Sequence, residues 1–137
     1  MATIFTRILA GQIPGNFIFQ GEHWCSLLDI RPSSAGHALL IPRYEAAFLA
    51  DLPPDSLVTM GPHLARLTST IKQVSGCPAL NVLLNDGPIA GQEVPHVHWH
   101  VVPRWPDDAL GYRFAPQSGN GLTELAARLA AAWMESA

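Results

Sequence analysis

The chain has 137 residues, a formal net charge of −3 and 48% hydrophobic residues. This length and composition suit one domain with a single core, and we expect residues 1–137 to form it. The negative charge argues against long nucleic acids and anionic membranes as partners, and no apolar run approaches the roughly 20 residues that span a bilayer. Residues 1–7 lack the features of a signal peptide, so we expect a cytoplasmic protein.

The first half of the chain predicts one helix and three strands. Residues 5–10 carry apolar side chains at helical spacing, and residues 16–20 and 23–30 form two short strands around a tight connection. Residues 36–42, rich in aliphatic side chains, form a third strand. Two isolated cysteines, Cys25 and Cys77, are predicted to be buried thiols rather than a disulfide.

The second half predicts a long helix, two strands and a closing helix. Residues 53–74 have helical periodicity, which Gly61-Pro62 is expected to kink or to divide into two helices. Residues 79–84 and 96–103 are predicted strands. Residues 119–137 form a helix whose predicted buried stripe is Leu125, Leu129, Ala132 and Trp133. Strands in a run with flanking helices indicate an α+β fold on an antiparallel sheet.

Three histidines, His96, His98 and His100, alternate with apolar residues near the C-terminal end of this sheet. Because side chains on a strand alternate between faces, the three imidazoles project to one side and Val97 and Val101 to the other. Successive imidazoles are then about 6–7 Å apart at the backbone, close enough to act on one ligand. A purely structural run would need a partner for each ring nitrogen, so we interpret the run as a functional site.

Two kinds of chemistry suit such a run. Imidazoles bind zinc, copper and iron, and His37 or a carboxylate such as Glu93 could complete a metal site. Alternatively, a neutral imidazole is a nucleophile near pH 7, and its neighbours can donate hydrogen bonds to a phosphoryl group. The preceding loop, with Gly87, Gly91 and Gln92, offers flexible backbone that can approach a phosphate and favours the second hypothesis.

Residues 85–104, NDGPIAGQEVPHVHWHVVPR, closely resemble the signature of the histidine-triad (HIT) nucleotide hydrolases and transferases. The resemblance extends upstream through residues 28–32 and 36–42 and covers most of residues 3–105. It implies a five-stranded antiparallel sheet with flanking helices, extended to ten strands in a two-fold homodimer. It also implies substrates in which a nucleoside monophosphate, with adenine as the expected base, is joined to an amine, a sulfate or further phosphates.

The resemblance also implies a role for each matching residue. His98 attacks the α-phosphorus and forms a nucleotidyl-imidazole that water hydrolyses. His96 and His100 orient and stabilise the phosphate, and His37 supports them from the neighbouring strand. The implied substrate contacts are Phe5, Ile8, Leu27 and Ile30 for the base, Asp29 for the ribose hydroxyls, and Asn85, Gln92, Glu93 and Val94 beside the phosphate.

The sequence departs from the family pattern at several positions. Glu93 stands where many members have a small hydroxyl residue, and its charge would repel phosphate oxygens unless it points away. It would favour a leaving group that carries an amine, or leave a nucleotide-binding module with weak catalysis. Thr3 and Thr6 stand where some members have two cysteines that hold a structural zinc, so we expect neither metal nor other cofactor. The signature is closer to the dinucleoside polyphosphate branch than to the phosphoramidase branch.

Overall fold

The structure is a computed structural model that describes residues 2–111 and 116–135. Its elements, in chain order, are α1 (Ile4–Leu9), β1 (Phe17–Gln20), β2 (Trp24–Leu28), β3 (Ala38–Pro42), α2 (Pro54–Ser75), β4 (Ala79–Leu84), β5 (Trp99–Arg104) and α3 (Leu122–Glu135). The five strands form one antiparallel sheet in the order β1-β2-β3-β5-β4. The predicted α+β class and five-stranded sheet are confirmed.

The strands β2 and β3, in the interior of the sheet, bury both of their faces. On β3, Ala38 and Leu40 point to the α2 side and Leu39 and Ile41 to the α1 side, because strand side chains alternate. The α2 side holds the larger core, which includes Trp24, Leu40, Leu67, Ile71, Val97 and Val101. The α1 side holds a smaller core of Phe5, Leu27, Leu39 and Ile41. The α1 side therefore leaves room for a site between the short helix and the sheet.

The long helix α2 is a single element, so the prediction of two abutting helices is wrong. Pro62 lies inside it, eight residues after the start at Pro54. A proline has no N–H to donate to the carbonyl four residues earlier, here that of Val58. Both Pro62 and Val58 lie on the exposed side of the helix, where water can satisfy that carbonyl. The lost bond is therefore tolerated without a break.

The strand predicted over residues 96–103 begins only at Trp99, which corrects the placement of two of the three histidines. The last pairs at this end are Leu84 with Trp99 on β4 and Leu40 with Trp99 on β3. Beyond Leu84 the chain turns away, so residues 96–98 have no ladder partner on that side. Instead the Val97 N–H donates to the carbonyl of Ala46 at 2.7 Å.

The closing helix is confirmed as an element, but its buried stripe is wrong. Leu125, Leu129 and Trp133 are exposed, as is every described residue of α3. Amphipathic periodicity predicts that a segment is helical and does not predict which surface it packs on. Residues 136–137 lie outside the described residues. Cys25 and Cys77 are buried free thiols, as predicted. Among the described helices, none combines the length and apolarity needed to cross a membrane.

Candidate active site

A cavity of about 1030 Å³ opens between α1 and the sheet, large enough for a nucleotide. The structure brings ten of the thirteen predicted site residues into its wall. The apolar part contains all four predicted base contacts, Phe5, Ile8, Leu27 and Ile30, and the polar part contains Asp29, His37, Asn85, Glu93, His98 and His100. Phe5 and Leu27 also belong to the α1-side core, so the same side chains stabilise the fold and line the cavity.

His98 is held in one protonation state by the main chain. Its Nδ1–H donates to the carbonyl of His96 at 2.8 Å, so the neutral ring carries its lone pair on Nε2. The ring is 6% exposed and meets the edge of Phe5 at a centroid distance of 4.9 Å. Burial lowers the pKa of His98, although the His96 carbonyl and the carboxylates of Asp29 and Glu93 act in the opposite direction. His98 is therefore a neutral imidazole near pH 7, held in one orientation with its lone pair on Nε2.

The tautomers of His37 and His100 are also fixed by hydrogen bonds. The Ser33 N–H donates to His37 Nδ1 at 3.0 Å, which places the His37 proton on Nε2. That proton is donated to His100 Nδ1 at 3.0 Å, so the His100 proton lies on Nε2. Burial, together with neighbouring His98 and His37, lowers the pKa of His100 to about 4. His100 is therefore neutral near pH 7 and carries its proton on Nε2. Ser33, whose N–H begins this series of bonds, is a contributor that sequence patterns did not reveal.

His96 does not line the cavity. Its ring is fully buried, with Nε2 bonded to the carbonyl of Pro42 at 2.8 Å and Nδ1 to the hydroxyl of Thr3 at 2.7 Å. Burial also lowers its pKa. With both nitrogens occupied, the side chain has no group left for a phosphate, and the predicted phosphate contact is not supported. The contribution of His96 to the site is its main-chain carbonyl, which orients His98.

Gln92 and Val94 also lie outside the cavity wall. The Gln92 side chain is buried; its Oε1 accepts from the Gly87 N–H at 2.8 Å, and its Nε2 donates to the carbonyl of Ala47 at 2.7 Å. Val94 packs against the α1-side core. The structure does not bring either residue to the cavity, so their predicted phosphate contacts stay predictions. Gln92 instead fixes the loop that carries Asn85 and Gly91 beside the cavity.

The acidic residue Glu93 does face the cavity, and it meets a cation that the sequence did not single out. Glu93 Oε2 lies 3.8 Å from Arg31 Nη2, and the two side chains are 83% and 85% exposed. Arg31 is the one lysine or arginine among the described residues of the wall. Its pairing with Glu93 joins positions far apart in sequence, so no local pattern indicates it. The pair reduces the repulsion that an isolated Glu93 would exert on phosphate.

Among the described residues, Asp29, His37 and His100 have ligand atoms close enough to hold a metal ion. Asp29 Oδ2 lies 3.6 Å from His37 Nε2. A metal on that Nε2 would move the ring proton to Nδ1, which would then face the Ser33 N–H, donor against donor. This set also differs from the three alternating histidines, of which His96 has no free nitrogen. The geometry favours the hydrogen-bonded arrangement of Ser33, His37 and His100 over metal binding.

The family model described as the HIT domain matches residues 10–107. The adenosine 5'-monophosphoramidase HNT1 of Saccharomyces cerevisiae is 40% identical over 103 residues, which cover 75% of this chain and 63% of that protein. The adenylylsulfatase HINT3 of Arabidopsis thaliana is 31% identical over 107 residues, 78% of this chain and 54% of that protein. The chain belongs to the HIT-domain family, as the signature predicted.

Solved structures of the family share the architecture. A HIT-family protein from Bacillus subtilis superposes with a TM-score of 0.89 at 27% identity, over 95% of this chain and 96% of that one. A zinc-bound histidine-triad protein from Mycobacterium smegmatis superposes with a TM-score of 0.75 at 34% identity, over 96% and 98%. The chain therefore shares its fold with these two proteins.

Proposed function

We propose that this protein cleaves adenylated substrates at the α-phosphorus through a covalent nucleotidyl-His98 intermediate. The observation that carries the proposal is the bond from His98 Nδ1–H to the His96 carbonyl, which leaves Nε2 as a lone pair in the wall of the cavity. The names of two relatives, a monophosphoramidase and an adenylylsulfatase, support an adenylyl group joined to an amine or a sulfate. That the signature is closer to the dinucleoside polyphosphate branch than to the phosphoramidase branch remains a prediction.

The reaction has two displacements at phosphorus. In the first, the His98 Nε2 lone pair forms a bond to the α-phosphorus, and the bond to the leaving group breaks; the leaving group keeps the electron pair and takes a proton from water. In the second, water attacks phosphorus, the phosphorus–Nε2 bond breaks, and the water proton is released. The His100 Nε2–H donates a hydrogen bond to the phosphoryl oxygens as charge develops in each transition state.

The rest of the nucleotide is placed by the remaining wall. The Asp29 carboxylate accepts hydrogen bonds from the ribose hydroxyls, and its Oδ1 is already oriented by the Arg31 N–H at 2.9 Å. The base lies between α1 and β2, against Phe5, Ile8, Leu27 and Ile30. Asn85 lies beside the phosphate, where its Nδ2 donates to the Gly91 carbonyl at 3.3 Å. We further propose that the protein works in the cytoplasm as a homodimer, paired along the edge strand β4.

The test is turnover of adenosine 5'-phosphoramidate, adenylyl sulfate and diadenosine tetraphosphate by the wild type and by His98→Asn. The variant is expected to lose at least about a thousandfold in kcat and to retain AMP binding by calorimetry, because it loses the nucleophile only. His23→Asn, in the connection between β1 and β2 and outside the cavity wall, is the matched control. Quenched wild-type reactions should contain protein with one AMP moiety on His98, identified by peptide mass spectrometry.

Two outcomes would contradict the proposal. Normal turnover by His98→Asn would exclude His98 as the nucleophile. Loss of wild-type activity on chelation, with recovery on adding stoichiometric zinc, would favour a metal-dependent hydrolase at Asp29, His37 and His100. AMP binding with no turnover of any compound in the panel would indicate a nucleotide-binding module.

A further inference from the structure

A separate group of hydrogen bonds lies behind the nucleophile, at the start of α1. The Thr3 N–H donates to Glu45 Oε1 at 2.8 Å, and the Thr6 hydroxyl donates to the same oxygen at 2.6 Å. The Thr3 hydroxyl donates to His96 Nδ1 at 2.7 Å, and His96 Nε2–H donates to the Pro42 carbonyl at 2.8 Å. These bonds connect an exposed carboxylate to a fully buried imidazole.

The donor and the acceptor of each hydrogen bond in this group can be assigned. The Pro42 carbonyl can only accept, so His96 carries its proton on Nε2 and its Nδ1 must accept. The Thr6 hydroxyl has a single proton, which it donates to Glu45 Oε1 at 2.6 Å, since Thr3 Oγ1 at 3.3 Å and His96 Nδ1 at 3.4 Å are more distant. The Thr3 hydroxyl is therefore the donor to His96 Nδ1, and it accepts from the Thr6 N–H at 3.1 Å in its role as the helix cap.

The group reaches His98 through the main chain of His96. The His96 carbonyl accepts the Nδ1–H of His98 at 2.8 Å, so a displacement of the His96 ring would move the atom that fixes the nucleophile. Phe5 of α1 packs against both imidazoles, with ring centroids at 5.8 Å from His96 and 4.9 Å from His98. Anchoring the start of α1 to Glu45 therefore restrains His98 by two routes.

The same positions argue against the structural zinc of some family members. Two threonine hydroxyls, at Thr3 and Thr6, replace the thiolates, and a neutral hydroxyl is a poor zinc ligand beside cysteine or histidine. His96 Nδ1, the nitrogen that faces them, already accepts a hydrogen bond. The residues present do not fit zinc, and hydrogen bonds connect the start of α1 to the histidine instead.

We infer that Glu45 is a positioning residue, which acts through Thr3, Thr6 and His96 to hold His98 in its attacking orientation without a metal. The inference rests on the proposed role of His98 as the nucleophile. Its effect belongs in kcat rather than in KM, because Glu45 lies outside the cavity wall and touches no substrate. The carboxylate is needed as an acceptor and not as a charge, since a single oxygen accepts both bonds.

The test compares Glu45→Ala, Glu45→Gln and the control Glu22→Ala, whose side chain is exposed in the β1–β2 connection. Glu45→Ala is expected to lower kcat for adenosine 5'-phosphoramidate about fivefold and to leave KM within about twofold, since two modest hydrogen bonds are lost. Glu45→Gln should retain kcat, because its amide oxygen accepts the same two bonds. Thr6→Val, which removes the Thr6 hydroxyl and keeps the Thr3 N–H bond to Glu45, should fall between the two.

A second measurement does not depend on turnover. In nitrogen-15 NMR spectra of the imidazoles, the wild type should show His96 as the Nε2–H form and His98 as the Nδ1–H form. Glu45→Ala should shift or broaden these two sets of signals and leave those of His63 unchanged. Unchanged His96 and His98 signals, or a loss of kcat in Glu45→Gln equal to that in Glu45→Ala, would overturn the inference. Changed signals in a protein without turnover would refute the proposed function and retain the positioning role.

Discussion

The Glu93 carboxylate affects both Arg31 and His98. Its carboxylate pairs with Arg31 at 3.8 Å across the opening of the cavity, and its charge opposes the burial that lowers the pKa of His98. Both side chains of the ion pair are exposed, so water and salt weaken its field. We expect the remaining negative field of Glu93 to favour a leaving group with a positive charge over sulfate or further phosphates.

Replacing this carboxylate should change the preference among leaving groups. Glu93→Ser is expected to raise kcat/KM for adenylyl sulfate and diadenosine tetraphosphate, relative to an AMP–lysine phosphoramidate, by up to about fivefold, because a repulsion on anionic groups is removed. The measurement is the ratio of kcat/KM values in low salt, with Glu22→Ser as the control. A ratio that stays constant in Glu93→Ser would show that Glu93 does not contribute to selectivity.

The alternation of the histidine run and the family resemblance together predicted ten of the residues that line the cavity. The pattern correctly brought His98 and His100 to the face opposite Val97 and Val101. It did not predict that both ring nitrogens of His96 would be hydrogen-bonded within the fold. Their partners are a hydroxyl and a carbonyl from segments remote in sequence. Carbonyls and N–H groups occur at almost every position, so their roles become visible only when the chain is folded.

At the scale of an element, the loop from Asn85 to Gln92 depends on backbone geometry that L residues rarely adopt. Gly87 and Gly91 have φ angles of +107° and +101°. A Cβ at Gly91 would also lie 3.3 Å from Nδ2 of Asn85, which lines the cavity. Any side chain at Gly91 would therefore have an unfavourable φ and would crowd the side chain of Asn85.

The same substitution at two glycines should have opposite effects on stability. Gly91→Ala is expected to lower the melting temperature by several degrees and to raise KM, because the loop must shift. Gly61→Ala, inside α2 with open space around the new methyl group, should raise it, since alanine is favoured by about 1 kcal/mol in a helix. Calorimetry of both variants checks the pair. A stabilised Gly91→Ala protein would contradict the assigned loop geometry.

Element identities followed from periodicity, and element ends did not. The strand predicted over residues 79–84 was found with those bounds, whereas the strand predicted from residue 96 begins at Trp99. Alternation is compatible with any extended segment, but a strand also needs a neighbour to pair with. The neighbour ends at Leu84, so the sequence around His96 alone could not place the boundary.

Across the whole molecule, three buried imidazoles and one half-buried imidazole make stability depend on pH. Burial lowers the pKa of His37, His96 and His98, and that of His100 falls to about 4. In the unfolded chain imidazoles titrate near 6.5. Below that value the unfolded chain binds more protons than the folded one, so the free energy of unfolding decreases as the pH falls from about 6.5 towards about 4.

We therefore expect the melting temperature to fall by at least about 5 °C between pH 7 and pH 5, measured by calorimetry at constant ionic strength. The decrease should be shallower in His100→Gln, which removes the imidazole with the lowest stated pKa. A melting temperature that is flat over this range, or a slope unaffected in His100→Gln, would contradict the protonation states assigned to the cavity.

The hydrogen bond from the His98 ring to the backbone oxygen of His96 has a consequence for protein engineering. Grafting three alternating histidines onto another sheet would transfer the rings without the acceptor that selects their tautomer. A designer would first have to copy a stretch of unpaired, bent backbone just ahead of the receiving strand. In this architecture, the conformation of the backbone ahead of the strand determines which nitrogen of the histidine can react.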